Sequence, residues 1–203
     1  MWKARTRTLV LLLLVTILFY WKILLTQQFS LLTQWEEVSQ GYSWFQFSIN
    51  ALREGHLPLW DPFTYCGHSF LGETQTSGLS PFNILLALVP FNTYGVLSPQ
   101  AYNWLFGLLH FLGLVFMFLL AREFGLTRLS SLIAGMCFSL GGFVNRIGWP
   151  DMLQSAIWLP LVFLFLLRAL RAPALPRCLL NAGLAGLAMG VAVLGGRVHM
   201  VIM

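Results

Sequence analysis

Residues 8–25 carry a single charge, Lys22, in a run otherwise built of leucine, valine, isoleucine, aromatic residues and two threonines. About 20 consecutive apolar residues span the hydrocarbon core of a bilayer. Lipid offers backbone N–H and C=O groups no partner, so such a run must be helical. Four further runs, about 102–121, 129–144, 153–167 and 178–196, have the same character. The predicted fold is therefore all-α: a polytopic helical membrane protein with about five transmembrane helices. Charged residues make up 9% of the 203, against roughly 25% in soluble domains, which excludes a soluble globule with a large core. The net charge of +5 comes from basic residues that flank apolar runs. That is a topology signal and not a nucleic-acid-binding stripe.

Lys3, Arg5 and Arg7 precede the first run, and no A-x-A sequence follows it. A secretory signal peptide has a shorter apolar run and a small-residue cleavage site. The pattern predicts an uncleaved signal anchor with a cytoplasmic N-terminus, in a multi-pass protein of the cytoplasmic (inner) membrane. Residues 82–97 are apolar but short, and Pro90 and Asn92 interrupt them. If they do not span, Arg122, Arg128, Arg168, Arg171 and Arg177 all fall on the cytoplasmic side, as the positive-inside rule requires. Residues 26–100 are then one large extracytoplasmic loop containing a re-entrant or interfacial segment. Within that loop Phe45, Ile49 and Leu52 recur at helical spacing. An interfacial helix is expected over Ser43–Arg53, capped by Ser43 and stopped by Gly55. Pro160 predicts a kink in the fourth span. Gly135, Gly141 and Gly142, and then Gly183, Gly186 and Gly190, predict close helix contacts. Residues 1–203 read as one membrane domain.

Residues 35–81 hold five of the seven acids: Glu36, Glu37, Glu54, Asp61 and Glu73. No phosphate-binding glycine loop, GxSxG, HExxH or D-x-D pair occurs in the chain. Cys66, Cys137 and Cys178 are too scattered for a disulfide framework or a zinc site. Glu36 and Glu37 follow the first span on its outer side. A carboxylate there is either a general base with a pKa raised by desolvation or half of a solvated charged pair. Asp61, before Pro62, reads as a turn starter. His56, His68 and Glu73 either gather a metal or make ordinary loop hydrogen bonds. Trp35, Trp44 and Trp60 either stack on sugar rings or sit in an interfacial aromatic belt. Arg53, Arg146 and Arg197 either grip a lipid phosphate or anchor the chain at the interface.

Three outer-loop strings stand out: Gly55-His-Leu-Pro-Leu-Trp-Asp-Pro-Phe, Gly67-His-Ser-Phe-Leu-Gly-Glu-Thr-Gln, and Ser80-Pro-Phe-Asn. Together they resemble the first outer loop of the YfhO-type membrane proteins. Ser139-Leu-Gly-Gly-Phe-Val, Ala156-Ile-Trp-Leu-Pro-Leu-Val and Gly195-Gly-Arg-Val-His extend the resemblance over most of residues 30–200. The sequence departs from that pattern at Asp61, where asparagine is common, at Ser69, where the family has proline, and across Arg197-Val198-His199.

The resemblance implies a GT-C-type membrane glycosyltransferase, of which this chain is the N-terminal portion. Such a protein moves a sugar from a polyprenyl-phosphate donor to an extracytoplasmic lipid, polymer or protein acceptor. It implies that Glu36 or Glu37, ahead of Gln40, replaces the family's aspartate as catalytic base. It places Gln40, Arg53, Trp60, Asp61, His68, Glu73, Gln75 and Arg146 against the substrate. Membrane lipids are expected partners, nucleic acid is not, no metal ligand is assigned, and the need for a divalent metal stays open. The alternative is a non-catalytic membrane scaffold or a transporter-like component. A transporter should carry ionisable groups at mid-membrane, whereas the candidate acids cluster outside.

Overall fold

The computed structural model describes residues 2–26, 28–30, 41–89, 96–145 and 150–197. It is mostly helical. Three helices are long and apolar enough to cross a membrane: Pro99–Glu123, Asp151–Leu170 and Leu175–Leu194.

The first apolar run forms α1 (Trp2–Phe19) and a short α2 (Trp21–Leu25), divided at Tyr20. The apolar stretch of α1, Thr6–Phe19, is shorter than those three helices. Tyr20 is held by the interior, with its ring on Phe106 and His110 and its hydroxyl donating to Asn145 Oδ1 at 2.6 Å. Helix α5 (Pro99–Glu123) begins at a Ser-Pro pair, where Ser98 Oγ accepts from the Gln100 N–H and Pro99 lacks the N–H a first turn leaves orphaned. Gln100 Nε2 donates to the carbonyls of Ile23 and Leu24, closing the end of α2. Because Leu24 meets Gly107 and Tyr20 meets Phe106 and His110, α1–α2 and α5 run antiparallel.

The run expected as a third span is divided. Helix α6 (Arg128–Ser139), capped by Thr127, stops at Leu140, and α7 (Gly142–Asn145) follows. Twelve residues of α6 reach only about 18 Å. Helices α8 (Pro150–Ala156) and α9 (Leu159–Leu170) meet at a break over Ile157 and Trp158, where Pro160 withholds its N–H. Helix α10 (Leu175–Leu194) returns alongside α9.

Small residues set the closest approach. A Cβ on Gly135 would lie 3.0 Å from the Leu114 carbonyl oxygen, and one on Gly113 would lie 3.3 Å from Ser139 Oγ and from Ile157 Cγ2. The expected packing through Gly183, Gly186 and Gly190 does not occur: a Cβ at any of them meets open space. Helix α10 instead buries Ala185, Ala188 and Ala192. Large apolar side chains cover the outside of the bundle, among them Leu18 on α1, Phe163 on α9 and Leu187 on α10. A surface of that kind is covered by lipid or by protein.

Between α2 and α5 lie α3 (Ser43–Arg53), a two-stranded ladder of β1 (Trp60–Asp61) and β2 (His68–Ser69), a 3₁₀ turn over Thr74–Thr76, and α4 (Pro81–Ala87). Helix α3 has the expected bounds, but Ser43 is its first residue and not its cap. It buries Phe45, Ser48 and Ile49 against α4 and the start of α5, with Phe45 edge-on to Tyr102. Tyr42 donates its hydroxyl to the Leu97 carbonyl, and burial pushes its phenol pKa up. Helix α4, seven residues and about 10 Å long, is far too short to cross a bilayer.

Candidate functional site at the loop-bearing end of the bundle

The loop after α3 turns on Gly55 (φ +78°) and runs through Pro58 to β1. Trp60 pairs with Ser69 and Asp61 with His68, and the Phe70 N–H donates to Leu59 O at 2.9 Å. The connecting turn holds three consecutive residues at positive φ: Tyr65 (51°), Cys66 (60°) and Gly67 (100°). Only glycine takes that conformation freely. At Gly67 space also demands it, since a Cβ would come within 2.8 Å of the Trp60 ring.

Asp61 is buried, with Oδ1 accepting from the Phe63 N–H at 2.8 Å and Oδ2 from Thr64 Oγ1 at 2.6 Å. Both oxygens thus hold the Asp-Pro turn, as an aspartate in such a turn does. Beside it opens a cleft of about 180 Å³ lined by Ser43, Trp44, Phe47, Asp61, Phe63, Thr64 and Tyr65. Phe63 and Tyr65 are 85% and 81% exposed, and Trp60 is 58% exposed. His68 sits edge-on to Tyr65, and its Nδ1 is buried without a partner among the described residues. Glu73 accepts from the Gln75 N–H at 3.3 Å and so caps the 3₁₀ turn.

The hairpin and the turn after it therefore bring Trp60, Asp61, His68, Glu73 and Gln75 into one unit. Arg53 faces elsewhere: its Nε donates to Ala87 O at 2.7 Å and its Nη2 to Val89 O at 2.6 Å, tying α3 to the end of α4. Glu36, Glu37, Gln40 and Arg146 lie outside the described residues. Among the described residues no three His, Cys, Asp or Glu side chains could hold a metal ion, so His56, His68 and Glu73 make no such site.

The structure adds Ser77, Asp151 and Gln154, which sequence reasoning did not assign to a site, and gives Arg197 a partner. The loop from Thr76 to Asn83 docks on α8 and on the end of α10. Ser77 donates to Gly195 O at 2.6 Å, and Ser80 donates to Gln154 Oε1. Asn83 Nδ2 reaches Ser77 O at 2.7 Å. Arg197 donates through Nε to Asp151 Oδ2 at 2.5 Å and through its N–H to Ser155 Oγ at 3.1 Å. The Gly67 and Ser80 strings and the Gly195-Gly-Arg string thus meet at one end of the bundle. Asn83 Oδ1 and Gln154 Nε2 stay unpartnered within this buried polar layer among the described residues. Its advance signal is charge: Asp151 and Arg197 are an acid and a base in two short segments that flank apolar runs.

A second unsuspected site lies deeper. His110, halfway along α5 and fully buried, donates from Nδ1 to Ser139 O at 2.9 Å, while Ser139 Oγ donates to His110 O at 2.7 Å. The histidine thus satisfies a carbonyl at the break between α6 and α7. Its Nε2 has no partner among the described residues. No protein-family model matches the chain, and no curated protein or solved structure is significantly similar to it.

Proposed function

We propose that the chain belongs to a membrane glycosyltransferase of the GT-C type, with about five spans, that uses a polyprenyl-phosphate sugar at its loop-bearing end. The observation that carries this reading is the aromatic cleft beside Asp61, set in a polar loop assembly that caps an apolar bundle. Exposed aromatic faces suit both sugar rings and the membrane interface, where the head of a lipid-linked sugar sits. Gly41, four residues beyond Glu37, is buried against Tyr102 near the outer start of α5. Glu36 or Glu37 takes the proton of the acceptor hydroxyl as its oxygen attacks the anomeric carbon. The bond from that carbon to the phosphate oxygen breaks, and the lipid phosphate leaves with the electron pair. Arg146 balances its charge; Arg53, held on the α4 carbonyls, supports the loop. Asp61 shapes the cleft through its turn.

The test is transfer of a labelled sugar from a polyprenyl-phosphate donor by the protein in lipid nanodiscs. Glu36→Gln or Glu37→Gln should lower the rate about 10²–10⁴-fold, the usual loss for a general base, at unchanged membrane abundance. Wild-type rates in both single variants and in the double variant would remove these residues from the mechanism.

One observation favours the second reading, a transporter-like component. His110 is an ionisable group buried at mid-bundle beside a broken helix, an arrangement common at transport sites. Uptake of a labelled solute into proteoliposomes, lost in His110→Ala without loss of sugar transfer, would support it.

A further inference from the structure

We propose that the other end of the bundle is a docking surface for anionic phospholipid headgroups. Two hairpin turns form it, α5–α6 and α9–α10, and Glu123 joins them. Arg168 meets Glu123 Oε2 at 2.7 Å, and Arg171 Nη1 donates to the Glu123 carbonyl at 3.3 Å. Arg122 is folded onto the Leu126 carbonyl. Arg128 opens α6 and Arg177 lies in the first turn of α10; both are exposed. The two turns thus carry five arginines and one carboxylate, which among the described residues only Arg168 is seen to bind.

Helix direction adds a sixth. Arg7 lies thirteen residues before Tyr20, and Glu123 thirteen after His110, on antiparallel helices that touch at Tyr20 and His110. Each is therefore about 20 Å from that contact, toward the same end.

The surroundings decide between a lipid and a free anion. Large apolar side chains stand beside the guanidinium groups on both turns. Leu129 is 68% exposed, Leu170 85% and Leu175 70%. A soluble phosphate would gain nothing from these leucines. A phospholipid gains from both, its phosphate on the arginine fork and its acyl chains on the leucines. Among the described residues the opposite end has no such excess: Lys22, Arg53 and Arg197 there are matched by Glu54, Asp61, Glu73 and Asp151.

The experiment measures lipid selectivity by electron paramagnetic resonance, with spin-labelled phosphatidylglycerol and phosphatidylcholine and the protein in proteoliposomes. We expect phosphatidylglycerol to be motionally restricted several-fold more than phosphatidylcholine. The preference should fall in 0.5 M NaCl, where the Debye length is only a few ångströms. A basic side chain near an anionic surface adds roughly fivefold to binding, so R128Q/R177Q should remove most of the several-fold preference. R128K/R177K should retain most of it. Equal preference for the two lipids in wild type, or an unchanged preference in R128Q/R177Q, would overturn the proposal. So would displacement of the labelled lipid by inorganic phosphate but not by chloride at equal ionic strength, since the site would then belong to a soluble anion.

Discussion

Gly196→Ala should undock the loop over residues 70–80 from the bundle. Gly196 has φ +109°, and an added Cβ would lie 2.5 Å from Ser77 Oγ, 2.9 Å from Thr74 O and 3.2 Å from Asp151 Cβ. A left-handed conformation costs a non-glycine residue about 1–2 kcal/mol, and overpacking a filled site adds about 1–3 kcal/mol. The carbonyl of Thr74 is backbone and cannot swing away as a side chain would. Moving Ser77 instead breaks its hydrogen bond to Gly195, worth roughly 1 kcal/mol. Together these give about 3–6 kcal/mol, concentrated where the 3₁₀ turn meets α10.

Hydrogen exchange in nanodiscs should then show deprotection of residues 70–80 while the amides of α5 and α9 stay protected. The matched control is Gly186→Ala on α10, where a Cβ meets open space. There alanine should be neutral or stabilise by up to about 1 kcal/mol through helix propensity. Native-like protection of residues 70–80 in Gly196→Ala would refute the reasoning, as would equal effects at the two glycines.

Three further outcomes are expected. Reporter fusions at Gly72 and Asp151 should read outside and those at Gly125 and Ala174 cytoplasmic; a cytoplasmic signal at Gly72 would reverse the assigned orientation. Asp151→Asn and Arg197→Gln should each destabilise by about 2–4 kcal/mol, because each removes one partner of a largely buried ion pair. Thermal melts of the double variant should reveal a coupling above roughly 1 kcal/mol, and simple additivity would show the pair to be idle. His110→Leu should cost about 2–3 kcal/mol by stripping Ser139 of its partner at the helix break, and a wild-type melt would show that another group satisfies that carbonyl.

Local chemistry made part of this fold legible. The periodicity of Phe45 and Ile49 and the stop at Gly55 located α3, and Pro160 marked the break before α9, because each signal acts within a few residues of its cause. The division at Tyr20 had no such mark. It is decided by Phe106, His110 and Asn145, which lie far along the chain. The spacing of Gly183, Gly186 and Gly190 predicted a packed face, yet a spacing cannot say whether a neighbour is present. Arg53 read as a phosphate grip or an interfacial anchor because the carbonyls it holds, those of Ala87 and Val89, are groups that every sequence contains at every position. His110 went unremarked because one histidine in an apolar run looks like packing until the break in α6 gives it a carbonyl to hold. The buried polar layer joins Ser80 to Gln154 and Asp151 to Arg197 across tertiary distances that no local pattern records.

The bond from Ser77 to Gly195 also sets a timetable for biosynthesis. Its partners are separated by 118 positions in the chain. At about 5–20 residues per second, a ribosome needs roughly 6–24 s to make what lies between them. For most of that interval Ser77, Ser80 and Asn83 have left the ribosome while the last of the surface they dock on is still unmade. The nascent loop must therefore wait with its polar groups on water or on a chaperone, and a protease present during that interval meets a cleavable segment that the finished protein hides.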